Sequence, residues 1–251
     1  MTKGRESDRK HRSICIVIPT YWEAVNIRTL IEDLEGCLYE DILRIIIIDD
    51  NSQDGTVEIV EALNEQYSNI VVNCRTNKTG VGSAIKDGLS MALSLSDCEF
   101  IVTMDADLSH RVDDIPGLLG EIDGVDIVQG SRYISGGRII SWGLLRRMIS
   151  WTANMICRLL FQTGISDHTG FFCVSTRRAA QILADNLTCN GFEWAIERTL
   201  IAKDSDLKVK EVPITFINRR SGQSKLKLSR ILTWSTFVAK TFVSRIRRKG
   251  A

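Results

Sequence analysis

Short β-branched runs alternate with helix-length segments through the first half of the chain. Ile14–Ile18, Leu43–Ile48, Ile70–Asn73, Phe100–Met104 and Asp126–Gln129 read as buried strands, with helices over Glu23–Leu38, Thr56–Tyr67 and Gly82–Leu95. This alternation predicts an α/β fold with a mostly parallel central sheet flanked by helices. Ligands of such sheets bind beyond the carboxyl ends of the strands. The residues to read are therefore Pro19–Glu23, Asp49–Asp54, Arg75–Gly82, Asp105–Ser109 and Ser131–Arg132, which carry charge where the strands feeding them are almost wholly apolar.

After about residue 135 the alternation ends and two helical stripes follow. The first, within Trp142–Phe161, has Leu145, Met148, Ile149, Ile156, Leu159 and Leu160 on one face with Thr152, and is interrupted by Arg146, Arg147 and Arg158. The second joins Leu228, Ile231, Leu232, Val238, Ala239, Phe242, Val243 and Ile246, flanked by Trp234 and Phe237, and sets Arg230, Lys240 and Arg247 aside. The second predicts a basic amphipathic helix lying at a membrane surface. Neither stripe reaches the roughly 18 uninterrupted apolar residues of a membrane-crossing helix.

Composition adds three constraints. A chain of 251 residues, 44% hydrophobic, can form one sizeable core, so a single catalytic domain is expected. Its seven cysteines are odd in number, scattered and without a Cys-x-x-Cys pair, which predicts reduced thiols in a cytosolic setting rather than disulfides or a zinc site. The net charge of +1 hides an asymmetry: residues 212–251 hold ten Lys or Arg and no Asp or Glu, leaving 22 basic against 31 acidic residues before them. A basic tail implies an anionic partner. Its apolar stripe and aromatics fit a lipid surface better than nucleic acid, and no nucleic-acid partner is expected.

The chemistry concentrates at the strand exits. In Asp105-Ala106-Asp107 two carboxylates directly follow a buried run, where they can share Mg²⁺ or Mn²⁺ with a diphosphate, and Ser109 can add a contact. The plain alternative is that these aspartates cap the next turn. Of Asp49, Asp50 and Asp54, one is expected to meet a nucleobase or ribose and the others to build the turn, with Ser52 or Asp54 capping the helix near Thr56. Tyr21 can stack on a base and Glu23 can bond its edge. Gly80 and Gly82 superficially suggest a dinucleotide loop, but Ile85 stands where the third glycine belongs, and no P-loop is present. Arg132, Arg146, Arg219 and Lys225 offer cations for more than one phosphate. His11, His110 and His168 lack metal-ligand spacing and read as structural or solvent-facing.

Taken together, these motifs resemble the dolichyl-phosphate (polyprenyl-phosphate) mannose synthases, inverting family 2 glycosyltransferases of GT-A fold. The markers are Pro-Thr-Tyr-x-Glu at 19–23, Asp-Asp-Asn-Ser-x-Asp-Gly-Thr at 49–56, Asp-Ala-Asp-Leu-Ser-His at 105–110 and Gly-Ser-Arg-Tyr at 130–133. Trp142 with Arg146 and Ser150, Asp167-x-Thr169-Gly170, Glu211-Val-Pro at 211–213 and Gly222-x-Ser224-Lys225-Leu226 complete the set. Trp22, Arg111-Val112, Phe171 and Cys173 depart from the family pattern.

The resemblance implies that Pro19, Tyr21, Glu23, Ile48 and Asp50 hold the nucleoside, and that Asp105, Ala106 and Asp107 line the nucleotide-sugar. It places Asp105, Asp107 and Ser109 around the metal. Asp107, Arg132, Arg219 and Lys225 are the implied catalytic set, the three cations binding phosphate, with Arg146 and Ser224 at the acceptor phosphate. The resemblance runs over about residues 13–226, the expected catalytic domain with an amphipathic helix about 142–163; the charged segment 1–12 before it is expected to be disordered and 227–251 after it to form the basic amphipathic helix. The implied substrates are GDP-mannose and dolichyl or polyprenyl phosphate. The implied site of action is the cytoplasmic face of the endoplasmic reticulum or plasma membrane, with peripheral attachment or a small membrane-embedded partner subunit. UDP-glucose as donor, or a non-catalytic membrane-surface subunit of the same fold, are the alternatives.

Overall fold

The computed structural model of the chain describes residues 12–218 and 228–249, the latter with side chains over 232–247. Apart from Arg12, whose amide and guanidinium are held by Asp41 and Asp123, the N-terminal segment expected to be disordered lies outside the described residues.

Strands β1 (Ile14–Thr20), β2 (Ile42–Asp49), β3 (Ile70–Cys74) and β4 (Phe100–Thr103) form a parallel block. Their unbroken apolar runs follow from burial on both faces. Ile14, Ile16, Ile18, Ile45 and Ile47 enter one core, and Cys15, Val17, Ile46 and Ile48 enter the other. Each such Val or Ile stabilises by about 1.5–3 kcal/mol on burial. Helices α1 (Ile27–Leu38), α2 (Thr56–Tyr67) and α4 (Ile115–Gly120) pack on the first face, and α3 (Val81–Ser94), α6 (Arg177–Asn186) and α7 (Trp194–Asp204) on the second.

The seven-stranded sheet runs β3-β2-β1-β4-β7-β5-β8. Strand β7 (Cys173–Thr176) is antiparallel to both β4 and β5 (Ile127–Ser131), so β5 points the same way as β4, and β8 (Val209–Pro213) is parallel to β5. All five predicted strand exits consequently open on one edge. A small parallel pair, β6 (Arg138–Ile140) with β9 (Thr215–Ile217), stands beside that edge.

Helix α2 spans the predicted residues, whereas α1 starts four residues later than Glu23. Residues 23–26 form a turn in which the Glu23 carbonyl accepts the Asn26 and Ile27 amides, both at 2.9 Å. The capping expectation is also corrected, since Gly55 is the α2 cap residue and Asp54 accepts the Thr56 amide from outside it. At the start of α3 the reason for glycine is contact rather than dinucleotide binding. The Gly82 amide donates to Asn190 O at 2.8 Å, and a Cβ at Gly82 would stand 2.1 Å from Cys189 O.

The later helices differ from the expected stripes. Helix α5 (Leu144–Phe161) buries Asn154, Cys157 and Phe161 and leaves Leu144, Leu145, Met148, Trp151, Met155 and Leu159 exposed. Helix α8 (Leu228–Lys249) packs on α5 and α7 through Trp234, Phe237, Val238 and Phe242, while Leu232, Val243 and Ile246 stay exposed. The aromatics assigned to its flanks therefore make its packing face. No described helix is long and apolar enough to cross a membrane, and all seven cysteines are free.

Candidate active site

At the end of β2 the acidic run divides its work by burial. Asp49, fully buried, accepts from Thr20 Oγ1 at 2.6 Å and from the Ser52 amide and hydroxyl at 2.6 and 2.7 Å. Asp54 accepts from the Ala24 amide and the Thr56 hydroxyl; burial pushes its pKa up, but these hydrogen bonds outweigh that and hold it below the usual carboxylate range. These two build the turn. Asp50 instead faces the β3–α3 loop, taking the Arg75 guanidinium and the amides of Thr79 and Gly80 at 3.4 and 3.2 Å. Arg75 in turn reaches Ser83 Oγ at 2.6 Å and Gly80 O at 3.0 Å, fixing the loop over the strand end.

The other predicted nucleoside residues are placed unevenly. Pro19 is half-buried at the end of β1, and Lys78 Nζ covers the Tyr21 ring 3.1 Å from its centroid. Glu23 accepts from Asn26 Nδ2 at 2.9 Å. Ile48 requires correction, because its side chain lies wholly in the second core and supports the strand end from beneath. Trp22 is exposed with a left-handed φ of 62°, a conformation asparagine tolerates better than a bulky ring, and its amide donates to Ser52 Oγ at 2.8 Å.

Beyond β4 the chain turns sharply through Asp105–Ser109, with Leu108 at φ 60°. Ala106 is buried in the first core, so Asp105 and Asp107 flank an anchored residue. Asp107 Oδ1 accepts the Ser109 amide at 3.1 Å, and the Asp105 amide donates to His110 Nδ1 at 3.1 Å. That bond gives His110 a neutral ring protonated on Nε2. Burial pushes its pKa down to about 4, with Asp107 opposing and Arg132 reinforcing the effect, and the ring stacks 4.9 Å from Phe172. Ser109 Oγ is buried with no hydrogen-bond partner among the described residues. Two carboxylates and an orphaned hydroxyl are hard oxygen donors suited to Mg²⁺ or Mn²⁺. Among the described residues no third carboxylate, histidine or cysteine joins them, so substrate oxygens and water would complete the shell.

Arg132, at the end of β5, was expected to meet phosphate. It is buried and forked onto Asp167, with Nε to Oδ2 and Nη2 to Oδ1 both 2.7 Å and its amide to Oδ2 3.0 Å, and it also lines the cavity described below. Burial works against both charges. Arg132 nevertheless holds the Asp167 carboxyl below its usual range, and Asp167, with a smaller contribution from Asp105, holds the guanidinium above its own. Gln129 Nε2 grips Asp167 O, the Asp167 amide reaches Glu211 at 3.0 Å, and Arg198 Nη2 donates to Gln129 Oε1 at 2.8 Å. Gln129, Asn154 and Arg198 carry no signal in the sequence, being single polar residues in otherwise unremarkable elements.

Arg132 and Tyr133 form the inner end of a cavity of about 710 Å³ whose outer walls include Arg138, Arg147, Met148 and Trp151. Arg146 stacks 3.9 Å over Trp142 and donates to Asn218 Oδ1 at 2.9 Å, while Tyr133 OH donates to Ser150 Oγ at 2.7 Å. Arg219, Ser224 and Lys225 lie outside the described residues.

His168, fully buried in the adjoining loop, donates from Nδ1 to Thr199 Oγ1 at 3.0 Å, since that hydroxyl gives its own proton to Ile196 O; Nε2 faces Thr163 Oγ1 at 3.3 Å. Burial, opposed by Asp167 and reinforced by Arg198, pushes its pKa down to about 4 from 6.5. Between these values the unfolded chain binds a proton that the folded chain does not. Stability is therefore complete above the unfolded value and falls by about 3 kcal/mol as pH drops through the window. His110, pushed down to about 4 by the same cause, contributes a loss of similar size in the same window, so urea denaturation from pH 7 to 4 should show the combined slope and His168→Asn should remove about half of it.

Comparison with known proteins identifies the family. A family model, "Glycosyl transferase family 2", matches residues 15–183. A dolichol-phosphate mannosyltransferase of Saccharomyces cerevisiae is 34% identical over 219 residues, covering 84% of this chain and 80% of its own. An undecaprenyl-phosphate mannosyltransferase of Micrococcus luteus is 29% identical over 214 residues, covering 85% and 87%. Among solved structures, glucosyl-3-phosphoglycerate synthase of Mycobacterium tuberculosis, in complex with Mn²⁺, UDP and glucosyl-3-phosphoglycerate, superposes with a TM-score of 0.68 at 19% identity, covering 93% of this chain and 80% of its own. The strand order, the acidic strand exits and the match across most of the chain lead to one conclusion: this chain is a glycosyltransferase and belongs to glycosyl transferase family 2.

Proposed function

We propose that the chain transfers mannose from GDP-mannose to a polyprenyl phosphate such as dolichyl phosphate, with inversion, at the surface of a membrane. One convergence carries the reading: the turn bearing Asp105 and Asp107 and the β5 exit bearing Arg132 open on the same sheet edge, and Arg132 also lines a cavity walled by the exposed apolar helix α5. A carboxylate pair suited to a diphosphate thus adjoins a lipid-facing wall. The mannosyltransferase relatives support the choice of sugar and acceptor class.

Asp50 and the Arg75 loop receive the nucleoside side of the donor, and Asp105, Asp107 and Ser109 hold Mg²⁺ or Mn²⁺. An ion held there would supply Lewis-acid neutralisation of charge on the leaving diphosphate. The acceptor phosphate is already ionised at neutral pH, so its oxygen attacks the anomeric carbon without a general base. Arg219 and Lys225 add phosphate-binding cations in this reading, with Arg146 and Ser224 at the acceptor. Arg132, neutralised by Asp167, orients the wall between the two substrates. The outward stripe of α5, accompanied by the exposed Arg147 and Arg158, rests in the headgroup region of an anionic bilayer.

The test is transfer of labelled sugar into the organic phase from GDP-mannose and, separately, UDP-glucose, with dolichyl phosphate and Mn²⁺. Transfer from GDP-mannose that stops on chelation is expected. Transfer from UDP-glucose alone would replace the sugar assignment, and absence of transfer from both would overturn the acceptor reading.

A further inference from the structure

Helix α5 faces two ways. Outward it presents Leu144, Leu145, Met148, Trp151, Met155 and Leu159, all at least 39% exposed. Inward it presents Asn154, 3% exposed, whose carboxamide is fully used. Asn154 Oδ1 accepts the His168 amide at 2.6 Å and the Thr169 amide at 3.2 Å, while Nδ2 donates to Thr169 Oγ1 at 3.1 Å and Ser150 O at 2.9 Å. The same Thr169 oxygen accepts from Arg132 Nη2 at 2.8 Å. One hydroxyl therefore separates α5 from the Arg132–Asp167 pair, and the loop that carries Asp167 is gripped by α5 on the side immediately following that carboxylate.

We propose that Asn154 is a positioning residue that couples the seating of α5 on a lipid surface to the Arg132–Asp167 pair, so that docking of the helix tightens the acceptor side of the site. This rests on the lipid-phosphate acceptor reading above. The geometry favours it because the clamp is made of hydrogen bonds with directional donors and acceptors, so a shift of α5 moves the 168–169 amides rather than sliding past them. An apolar seam there would transmit much less. The same helix supplies Arg147, Met148 and Trp151 to the cavity that Arg132 lines.

The experiment is amide hydrogen exchange of segment 166–169 in the unaltered chain, with and without phosphatidylcholine–phosphatidylserine vesicles, with vesicle flotation run in parallel. Vesicle binding should slow exchange at His168 and Thr169 by about tenfold, the worth of about one hydrogen bond. Flotation without any change in exchange overturns the coupling and leaves the acceptor reading intact, whereas failure to float overturns the docking on which both depend. In a second arm, Asn154→Ala is assayed with long-chain polyprenyl phosphate in vesicles and with a water-soluble short-chain isoprenyl phosphate. The variant should lose vesicle stimulation and raise acceptor KM about tenfold with donor KM unchanged. Equal loss for both acceptors and both substrates would mean a merely structural role.

Discussion

Replacing Asp107 by Asn should reduce sugar transfer about a thousandfold, equivalent to about 4 kcal/mol of transition-state stabilisation, with the fold intact. Asp107 is nearly isosteric with Asn, and its Oδ1 accepts the Ser109 amide at 3.1 Å, a bond that an Asn carbonyl oxygen can accept equally well. What changes is charge at the place where the diphosphate must be neutralised. Asp105 remains, so binding of Mn²⁺ should weaken rather than vanish, measurable by titration in the presence of GDP without reference to activity. Ser109→Ala should have a smaller effect in the same direction, because the lost ligand is neutral and its hydroxyl holds nothing else among the described residues. Full activity of Asp107→Asn at ordinary metal concentrations would sink the role given to this turn.

The parallel half of the fold is legible because its strands are buried on both faces and hence unbroken in apolarity, and each ends in an abrupt change to charge. Asp105 and Asp107 stand out for that reason, as does the run from Asp49 to Asp54, although only burial decides that Asp49 and Asp54 serve the turn and Asp50 the loop opposite. Strand β7 is not legible: it has four residues, runs directly into α6, and its pairing partners β4 and β5 are distant in sequence. The Arg132–Asp167 pair spans 35 residues and has no local periodicity to betray it.

Helix α5 shows a different limit. Its apolar stripe is visible in sequence, but periodicity alone says nothing about which side meets the protein. The inward side is narrow and partly polar, built on Asn154, Cys157 and Phe161, because the loop it packs against presents amides that need acceptors. The larger apolar face is left outside, an arrangement that costs nothing where the solvent on that side is lipid and is otherwise an aggregation hazard. The C-terminal helix follows the opposite logic, turning Trp234 and Phe237 inward onto α5 and α7.

Replacing Asp167 by Ala should destabilise the chain by about 3–5 kcal/mol, a large fraction of the roughly 5–15 kcal/mol that holds an ordinary domain together. The carboxylate is fully buried and accepts from the Arg132 amide, Nε and Nη2, so its removal leaves a guanidinium in the interior with no other carboxylate contacting it among the described residues. Tyr133, Trp142 and Phe216 surround that guanidinium at 5.2–5.6 Å between Arg132 Cζ and each ring centroid, and rings of this kind cannot replace two charged hydrogen bonds. The loss should be greatest for the single variant. A paired Arg132→Leu/Asp167→Leu chain removes both charges and should recover a substantial part of the stability, because burying an ion pair gains little over a packed apolar pair. Transfer should not recover with it, since the wall between Asp105 and the α5 cavity has lost its fixed cation. Urea denaturation of the two variants beside the unaltered chain separates the cases: equal destabilisation by the single and paired replacements would show that the pair serves local packing and not charge balance.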